Sequence, residues 1–515
     1  MADVAALDPT LPDDPRVLQA LVQQLRSRLA EGEQHIARLT HQLHVHLRAR
    51  FGRKSERLTE GQLQLFLAEL AVTGQTEVDD QAPVPPPDAP RRRGRPHGRR
   101  PLAAHLPRER VVHTVPEADR TCPGCQQAMP QIGEELSEQL EYRPACFVVL
   151  EHVRAKYACR RCGEAVVTAE KPPQPIEKGL PGPGLLAQVV TAKYADHAPL
   201  WRQVGQYRRH GVDLAPATLG DWITASAELL GPLVAHMKRV VLASDCIQTD
   251  DTKVPVLDVA RESVRTGYCW AYLGDAAHPC TTFDFSPSRQ QEWPRAYLAG
   301  FAGRLQADAY KGYDQLFTDG RVIEVGCLAH ARRYFFDAQE TDLARALSAM
   351  AFIRVCYDVE RDATAAGVTP AERQALRQAR AKPILDQFGE WLAVQARTVL
   401  PKSPIAEAIT YARNQWTALN RYCEDGRLDI DNNAAERALR GVVLGRKNYL
   451  FVGSDEGGRR AAIHYSVVAT CKRHDVDPFA YLRDVLARLP THPASRIDEL
   501  LPHHWKAARV AADSS

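Results

Sequence analysis

Residues 246–258 read CIQTDDTKVPVLD, and two further short runs follow, GYCWAYLGD at 267–275 and CTTFDFSPS at 280–288. All three are rich in β-branched and aromatic residues and are separated by turn-forming residues, the pattern of strands. RQQEWPRAYLAGF (289–301) then reads as a helix, GRLQADAY (303–310) as a strand, and RVIEVGCLAHARRYFFDA (321–338) as a strand running into a helix. Three strands, a helix and two further strands follow one another, the last running into a helix.

That order is the order of a ribonuclease-H-like sheet. Working outward, residues 340–425 read as a polar helical insertion rather than more sheet. LDIDNNAAERALRGVVLGRKNYLFVGSDEGGRRAAIHYSVVATCKRH (428–474) is mostly helix with a basic turn, and 475–510 is helical with loops. Upstream, GLLAQVVTAKYA (184–195), PLWRQVGQYRRHG (199–211) and ATLGDWITASAELLGPLVAHM (217–237) are three helices. A short Gly-containing turn between helices permits a helix-turn-helix, in which Arg202, Arg208, Arg209 and His210 approach phosphate. An ordinary helical bundle fits the pattern equally.

Cys122-x-x-Cys125 and Cys159-x-x-Cys162 carry the first metal-binding signal. Two paired thiolates on two knuckles can enclose a tetrahedral structural Zn²⁺. The strand-like alternation of CFVVLEHVRAKYAC (146–159) between them suits a zinc ribbon, although the gap between the pairs is long. The other reading is a redox pair, but no thioredoxin-like βαβ pattern surrounds it. Cys146, Cys246 and Cys471 read as core residues.

The N-terminal third is different in kind. Val22, Leu29, Ile36 and Leu43 recur every seven positions, with Leu18, Leu25 and Leu39 on the partner position. Gly32 and His46 interrupt the pattern. A stripe of that kind needs a covering helix, from a second copy in a short coiled coil or from a hairpin in the same chain. Residues 51–72 continue with a basic turn and another amphipathic helix. PVPPPDAPRRRGRPHGRRP then has too few apolar residues to fold. Eight Arg and one Glu fall between Arg91 and Arg110 in a chain whose net charge is only +3. Such a focused block suits an anionic partner such as nucleic acid, and a solvated linker is the plain alternative. Arg93-Gly94-Arg95-Pro96 resembles a minor-groove hook, with Arg93 and Arg95 as its contacts, or is simply a basic tether.

The 515 residues are 44% hydrophobic and 25% charged, which excludes a wholly disordered, collagenous or disulfide-scaffold chain. No run of 18 apolar residues is present, so no membrane span is expected. The start, MADVAALDPTLPDDPR, lacks a secretory pattern, and a cytoplasmic protein is expected. The predicted organisation is an N-terminal helical or coiled-coil region (1–74), a Pro/Arg-rich linker (75–110), a zinc ribbon (111–172) and a helical DNA-binding region (173–240). A ribonuclease-H-like core (241–465, with the insertion at about 340–425) and a C-terminal helical region (466–515) complete a multidomain α+β chain.

Asp250 sits in the first strand of the sheet, at the end of CIQTD, and Asp308 at the end of the fourth, in RLQADAY. If those strands are neighbours the two carboxylates face each other, and Glu436 starts a helix able to close on the same edge. Three carboxylates at one point repel unless cations lie between them. Hard Mg²⁺ takes carboxylate and phosphate oxygens, and two such ions suit in-line phosphoryl displacement. Each acid also has a structural reading: Asp250 and Asp251 as turn residues, Asp308 as a loop acid, Glu436 as a capping-box partner of Asn433 or an i,i+4 partner of Arg440.

The ordered motifs LRARFGRKSERL (47–58), the two CxxC knuckles, KYADHAPLWRQV (193–204), QTDDTKVPV (248–256), LQADAYKGYD (305–314), GCLAHARRYFFDA (326–338), DIDNNAAERALR (429–440) and GRKNYLFVGSDEGGRRAA (445–462) together resemble the insertion-sequence-66 family of DDE transposases. The resemblance covers nearly the whole chain. It implies Asp250, Asp308 and Glu436 as catalytic Mg²⁺ (or Mn²⁺) ligands. The family usually has Asp-Glu-Thr where this chain has Asp250-Asp251-Thr252. Cys327-x-x-His330 matches a C-x-x-H element of related transposases, to hold a metal, brace the site or pack. Asn432 and Asn433 would shape the turn presenting Glu436. Arg437, Arg440, Arg446 and Lys447 would meet phosphates of the element's end, or form a solvated basic face.

The function implied is binding of terminal inverted repeats, cleavage there, and strand transfer into target DNA. Double-stranded DNA, a second copy of the chain and two small accessory proteins of the same element are the implied partners, with the protein nucleoid-associated when bound. The competing classes are a domesticated or self-repressing DNA-binding protein without catalysis, and a plain nuclease that cuts without joining.

Overall fold

The computed structural model describes residues 179–258, 260 and 262–513, with 147–150, 152, 156–158, 166–168, 173–177 and helical positions 19, 23 and 26. The remainder of the coiled-coil stretch, the basic linker with Arg93 and Arg95, and Cys122, Cys125, Cys159 and Cys162 lie outside the described residues.

Strands β1 (Lys156–Ala158) and β2 (Val166–Thr168) form an antiparallel pair with Tyr157 opposite Val167. In sequence, the second Cys pair falls within the segment that joins them.

The second sheet contains β3 (Cys246–Asp258), β4 (Ser263–Leu273), β5 (Thr281–Ser286), β6 (Gly303–Gln306) and β7 (Val322–Val325), in the order β5-β4-β3-β6-β7. The three runs expected from the sequence are an antiparallel meander, while β6 and β7 run parallel to β3. The turn after β4 depends on Gly274, where a Cβ would sit 2.1 Å from the His278 carbonyl oxygen. A short helix, α4 (Glu292–Tyr297), lies in the crossover that returns the chain to the other side of β3.

Upstream of the sheet lie α1 (Pro183–Tyr194), α2 (Leu200–Arg209) and α3 (Pro216–Leu242). After β7 come α5 (Leu328–Ala338), the insertion helices α6 (Leu343–Ala366), α7 (Pro370–Leu376), α8 (Lys382–Gln395), α9 (Pro404–Asn414) and α10 (Trp416–Asn420), then α11 (Asn433–Tyr449), α12 (Asp455–Arg473), α13 (Pro478–Arg488) and α14 (Pro502–Asp513).

β5 is an edge strand, yet nearly all of it is buried because α12 covers it. Hydroxyls on α12 complete the edge: the Thr281 N–H donates to Thr470 Oγ1 (3.0 Å) and the Phe283 N–H to Ser466 Oγ (2.8 Å). Covering an edge in this way stops it from templating another strand. α3 packs on α12 from the other side, with Ile223, Leu230 and Met237 buried.

The insertion corrects one expectation. It is not merely polar decoration, because Phe352, Ile353, Leu385, Phe388, Leu392 and Ile409 make a buried core continuous with Val325 and Phe335 of the sheet domain. Most of its polar residues lie outside this core, and the apolar ones are spread over several short helices. Arg377, fully buried, closes the insertion by donating to both Glu360 oxygens (2.6 and 2.8 Å) and to the Tyr422 and Asp425 carbonyls.

Candidate active site

Register brings the first two acids together. β3 and β6 are parallel, with Gln248 opposite Gln306, so Asp250 and Asp308 each stand two residues farther along. Carboxylate oxygens of Asp250, Asp251 and Asp308 lie within 4.8 Å of one another. Strict strand alternation would put Asp250 and Asp251 on opposite faces. Here the alternation of burial along β3 breaks at residues 250–252. The Asp251 N–H donates to Asp250 Oδ1 (2.9 Å), and the Tyr310 N–H to Asp308 Oδ1 (3.1 Å). Ala309, with φ of 63°, makes the turn between these two contacts.

Asp251 has a cation of its own. Arg289 donates to Asp251 Oδ1 from Nε (3.0 Å) and Nη2 (2.8 Å), and Nη2 also lies 3.4 Å from Asp308 Oδ2. The guanidinium stacks over the Tyr310 ring at 4.2 Å. The sequence reading missed Arg289 and Tyr310. Arg289 follows β5 in an ordinary-looking SPSRQ loop, and nothing local marks it as the partner of an acid 38 residues away.

Glu436 occupies the first turn of α11 and stands outside the close trio. Its Oε1 is 3.5 Å from His330 Nε2, and Arg333 Nη2 is 3.5 Å from both of its oxygens. The helix has Asn432 at its N-cap with no side-chain cap bond, so the capping box with Asn433 does not form. Asn432 is instead fully buried, and its Nδ2 donates to the Thr249 carbonyl (3.1 Å), which ties the start of α11 to β3 beside Asp250. Asn433 Nδ2 donates to Asp431 Oδ2 (2.6 Å), which also accepts from Tyr357 (2.7 Å). Both asparagines therefore shape the turn before Glu436.

Cys327 is buried at the N-cap of α5, and its Sγ accepts from the Asn432 N–H at 3.5 Å. Burial pushes its thiol up to about 12. It packs beneath the start of α11 and serves there as a hydrogen-bond acceptor. His330, one turn on, is held below the ordinary imidazole range by burial, against the pull of Glu436. The C-x-x-H element thus braces the helix that carries Glu436.

Asp250 is pushed up to about 8, first by burial and then by the charge of Asp308, with Asp251 and Glu436 adding to it. Burial also raises Asp251, opposed by Arg289. A cluster of hard oxygen donors that resists full ionisation is a donor set that a divalent cation fits, because the cation relieves the repulsion.

The basic residues are less convergent. Arg437, Arg440 and Lys447 are exposed along α11. Arg446 is half-buried and donates to the Lys253 carbonyl. Arg202 donates to Asn448 Oδ1 (3.3 Å), and Arg208 pairs with Asp213 at the surface.

Residues 178–460 match the family model described as "Transposase IS66 family", and 466–503 that described as "IS66 C-terminal element". Residues 119–163 match "zinc-finger binding domain of transposase IS66", and 38–111 match "Transposase C of IS166 homeodomain". Among similar proteins is uncharacterized protein y4hP of Sinorhizobium fredii, 36% identical over 488 residues that cover 89% of this chain and 87% of the relative. Uncharacterized protein y4jD of the same organism is 33% identical over 523 residues, 97% of this chain and 98% of the relative. The chain belongs to the IS66 transposase family, as its ordered motifs indicated. Its domains are those of an insertion-sequence transposase with DNA-binding modules. Among the described residues no helix is long and apolar enough to cross a membrane.

Proposed function

We propose that the chain binds the terminal inverted repeats of its own element, hydrolyses the phosphodiester bond there, and joins the freed end to target DNA. The observation that carries this reading is the β3–β6 register, which sets Asp250 beside Asp308, while the Asn432–Thr249 bond ties the start of the helix that carries Glu436 to β3. The strand order and the parallel pairing of β6 and β7 support a ribonuclease-H-like catalytic core.

In the first step a water oxygen forms the new bond to phosphorus while the 3′-oxygen leaves and takes up a proton. In the second, that 3′-hydroxyl attacks a target phosphodiester, displaces its 3′-oxygen and loses its proton, with no covalent protein intermediate. Two Mg²⁺ or Mn²⁺ ions, when bound by Asp250, Asp308 and Glu436, supply nucleophile activation and charge stabilisation at the leaving oxygen. The chain itself fixes the carboxylates, through the Asp251 N–H and the Tyr310 N–H, and holds Glu436 against His330 and Arg333.

Arg202, Arg208, Arg437, Arg440, Arg446 and Lys447 contact DNA phosphates in this reading, and Arg93 and Arg95 reach a minor groove. Cys122, Cys125, Cys159 and Cys162 hold structural Zn²⁺; the zinc-finger match spans both pairs, which supports this. The N-terminal stripe pairs two protomers, since two element ends must meet. Small accessory proteins of the element assist, and the protein works in the cytoplasm at the nucleoid.

The test is cleavage and joining of a labelled duplex of the element's own end in Mg²⁺, for wild type and Glu436→Gln. The reading expects both products from the wild type, and binding without product from the variant. Equal product from both proteins removes Glu436 from the chemistry. Specific binding with no product from either, even with the element's other proteins added, leaves a DNA-binding protein only.

A further inference from the structure

A cavity of about 390 Å³ lies between α1, α3, α11 and α12 and the β3–β4 face of the sheet. Its wall is largely apolar and aromatic, with Tyr194, Phe285, Tyr449 and Tyr465 among its rings. Among the described residues the charged side chains on it are Lys193, Arg446 and Arg460, with no Asp or Glu. The volume falls in the range of about 300–1,000 Å³ in which proteins take small ligands. A dry wall of rings with cations alone fits a flat heterocycle that carries negative charge.

Three further observations sharpen this. Lys193 places its amine over the Tyr449 ring at 4.2 Å, and burial pushes that amine down to about 8. A buried cation facing rings rather than a carboxylate is a cost unless an anion joins it. Gly220 lines the cavity within α3, yet a Cβ there would meet nothing within 4 Å. Glycine inside a helix is about 1 kcal/mol worse than alanine, so the residue keeps space open where packing does not require it. At the mouth, Leu450 and Phe451 also line the cavity but are 65% and 41% exposed, and Leu450 sits in the left-handed region with φ of 62°. Strained turns that hold large side chains in water are characteristic of ligand clamps.

The location ties the cavity to the candidate active site. Val254 lies four residues, or about 13 Å, along β3 from Asp250. Arg446 follows Glu436 on α11 by ten residues, about 15 Å. Both spans equal about four base steps of duplex DNA.

We propose that this cavity receives one nucleotide unstacked from the bound DNA end, a few steps from the cut. Its base lies among Tyr194, Tyr449 and Tyr465 and its phosphate meets Lys193 and Arg446, while Leu450 or Phe451 fills the gap left in the stack. Enzymes that extrude a base hold it between aromatic or apolar side chains, and apolar wedges commonly stabilise unstacked steps. The inference rests on the end-binding reading above.

The experiment uses the full chain and duplexes of the element's end. Each duplex carries 2-aminopurine at one position near the cut, and a dye on the far terminus reports binding separately. At saturation by the dye signal, 2-aminopurine emission is expected to rise severalfold at one position. Lys193→Met and the cavity-filling Gly220→Leu are each expected to lose that rise while the dye still reports full binding. Flat emission at every position under full binding overturns the cavity assignment and leaves the transposase reading standing. A rise that persists in both variants places the unstacked base elsewhere and also overturns it. A dye response on end DNA no greater than that on unrelated DNA overturns the reading and the assignment together.

Discussion

Asp251 is held differently from its two neighbours in the carboxylate cluster. Its side chain is 7% exposed and takes both bonds from Arg289, which is itself 39% exposed. Removing one partner of a buried pair leaves a charge without compensation, at a cost of about 3–5 kcal/mol when both are fully buried, and less here because the arginine is partly solvated. Arg289→Ala is therefore expected to lower metal-free stability by roughly 2 kcal/mol in a urea melt, with most of the loss recovered in Arg289→Ala/Asp251→Asn. A double variant no more stable than the single one would show that Arg289 does not act through Asp251. Asn432 makes a second residue-scale case. Asn432→Ala strips the Thr249 carbonyl of its buried donor, worth about 1–3 kcal/mol, and frees the start of α11. DNA cleavage should fall with it, while stability measured on the same protein separates unfolding from misplacement of Glu436. Asp250, Asp308 and Glu436 were singled out by their motifs, and they stand within β3, two residues past β6 and in the first turn of α11. Arg289 was not singled out, because a contact between a loop and a distant strand leaves no periodic trace.

Among the elements, the five strands and their succession along the chain followed from alternation and turn residues, since each strand must bury one face or two, whereas which strands are neighbours in the sheet came only with the structure. The insertion was misjudged for a related reason. Its apolar residues are dispersed over several helices, and α6 in particular buries residues on most of its circumference. Only assembly shows that Phe352, Phe388 and Leu392 share one core. The covered edge of β5 was hidden for the same reason, because Ser466 and Thr470 look like surface hydroxyls until α12 lies against the strand. Arg377 tests the insertion as an element. Its guanidinium satisfies Glu360 and two backbone carbonyls in a site without water contact. Arg377→Met leaves those two carbonyls without a donor and Glu360 with only its longer contact to Arg373 (3.3 Å), and a loss of about 3 kcal/mol is expected. Hydrogen exchange would place the loss: amides of α6–α8 should lose protection first, and uniform loss across the sheet would show that the insertion does not open separately.

At the scale of the molecule, the helices of 173–240 and the sheet region beyond residue 240 share packing, and the family match likewise runs without a break from 178 to 460. His464 lies at the centre of this shared region. On α12 and fully buried, it stacks on Tyr194 of α1 at 4.7 Å and contacts the Ile223 carbonyl of α3 through Nε2 at 3.1 Å. Burial pulls its pKa down from 6.5 to about 4. In the unfolded chain the ring takes up a proton below pH 6.5, whereas in the folded protein it stays neutral until about pH 4. Between those values the unfolded state binds more protons, so the stability that the neutral ring contributes is present above pH 6.5 and is lost as pH falls toward 4. By pH 5 the loss amounts to roughly 2 kcal/mol. Glutamine at this position keeps a donor for the Ile223 carbonyl and cannot titrate. His464→Gln should start less stable than wild type at pH 7.5, from lost stacking, and the difference should shrink by about 2 kcal/mol on going to pH 5. The carboxylates, Asp250 with its raised pKa included, titrate in both proteins alike and cancel in the difference. Urea midpoints for the two proteins across pH 7.5 to 5 decide the matter: converging curves mean that a neutral histidine joins the helical region to the sheet, whereas parallel curves mean that the ring is already protonated, or water-exposed, in the folded protein.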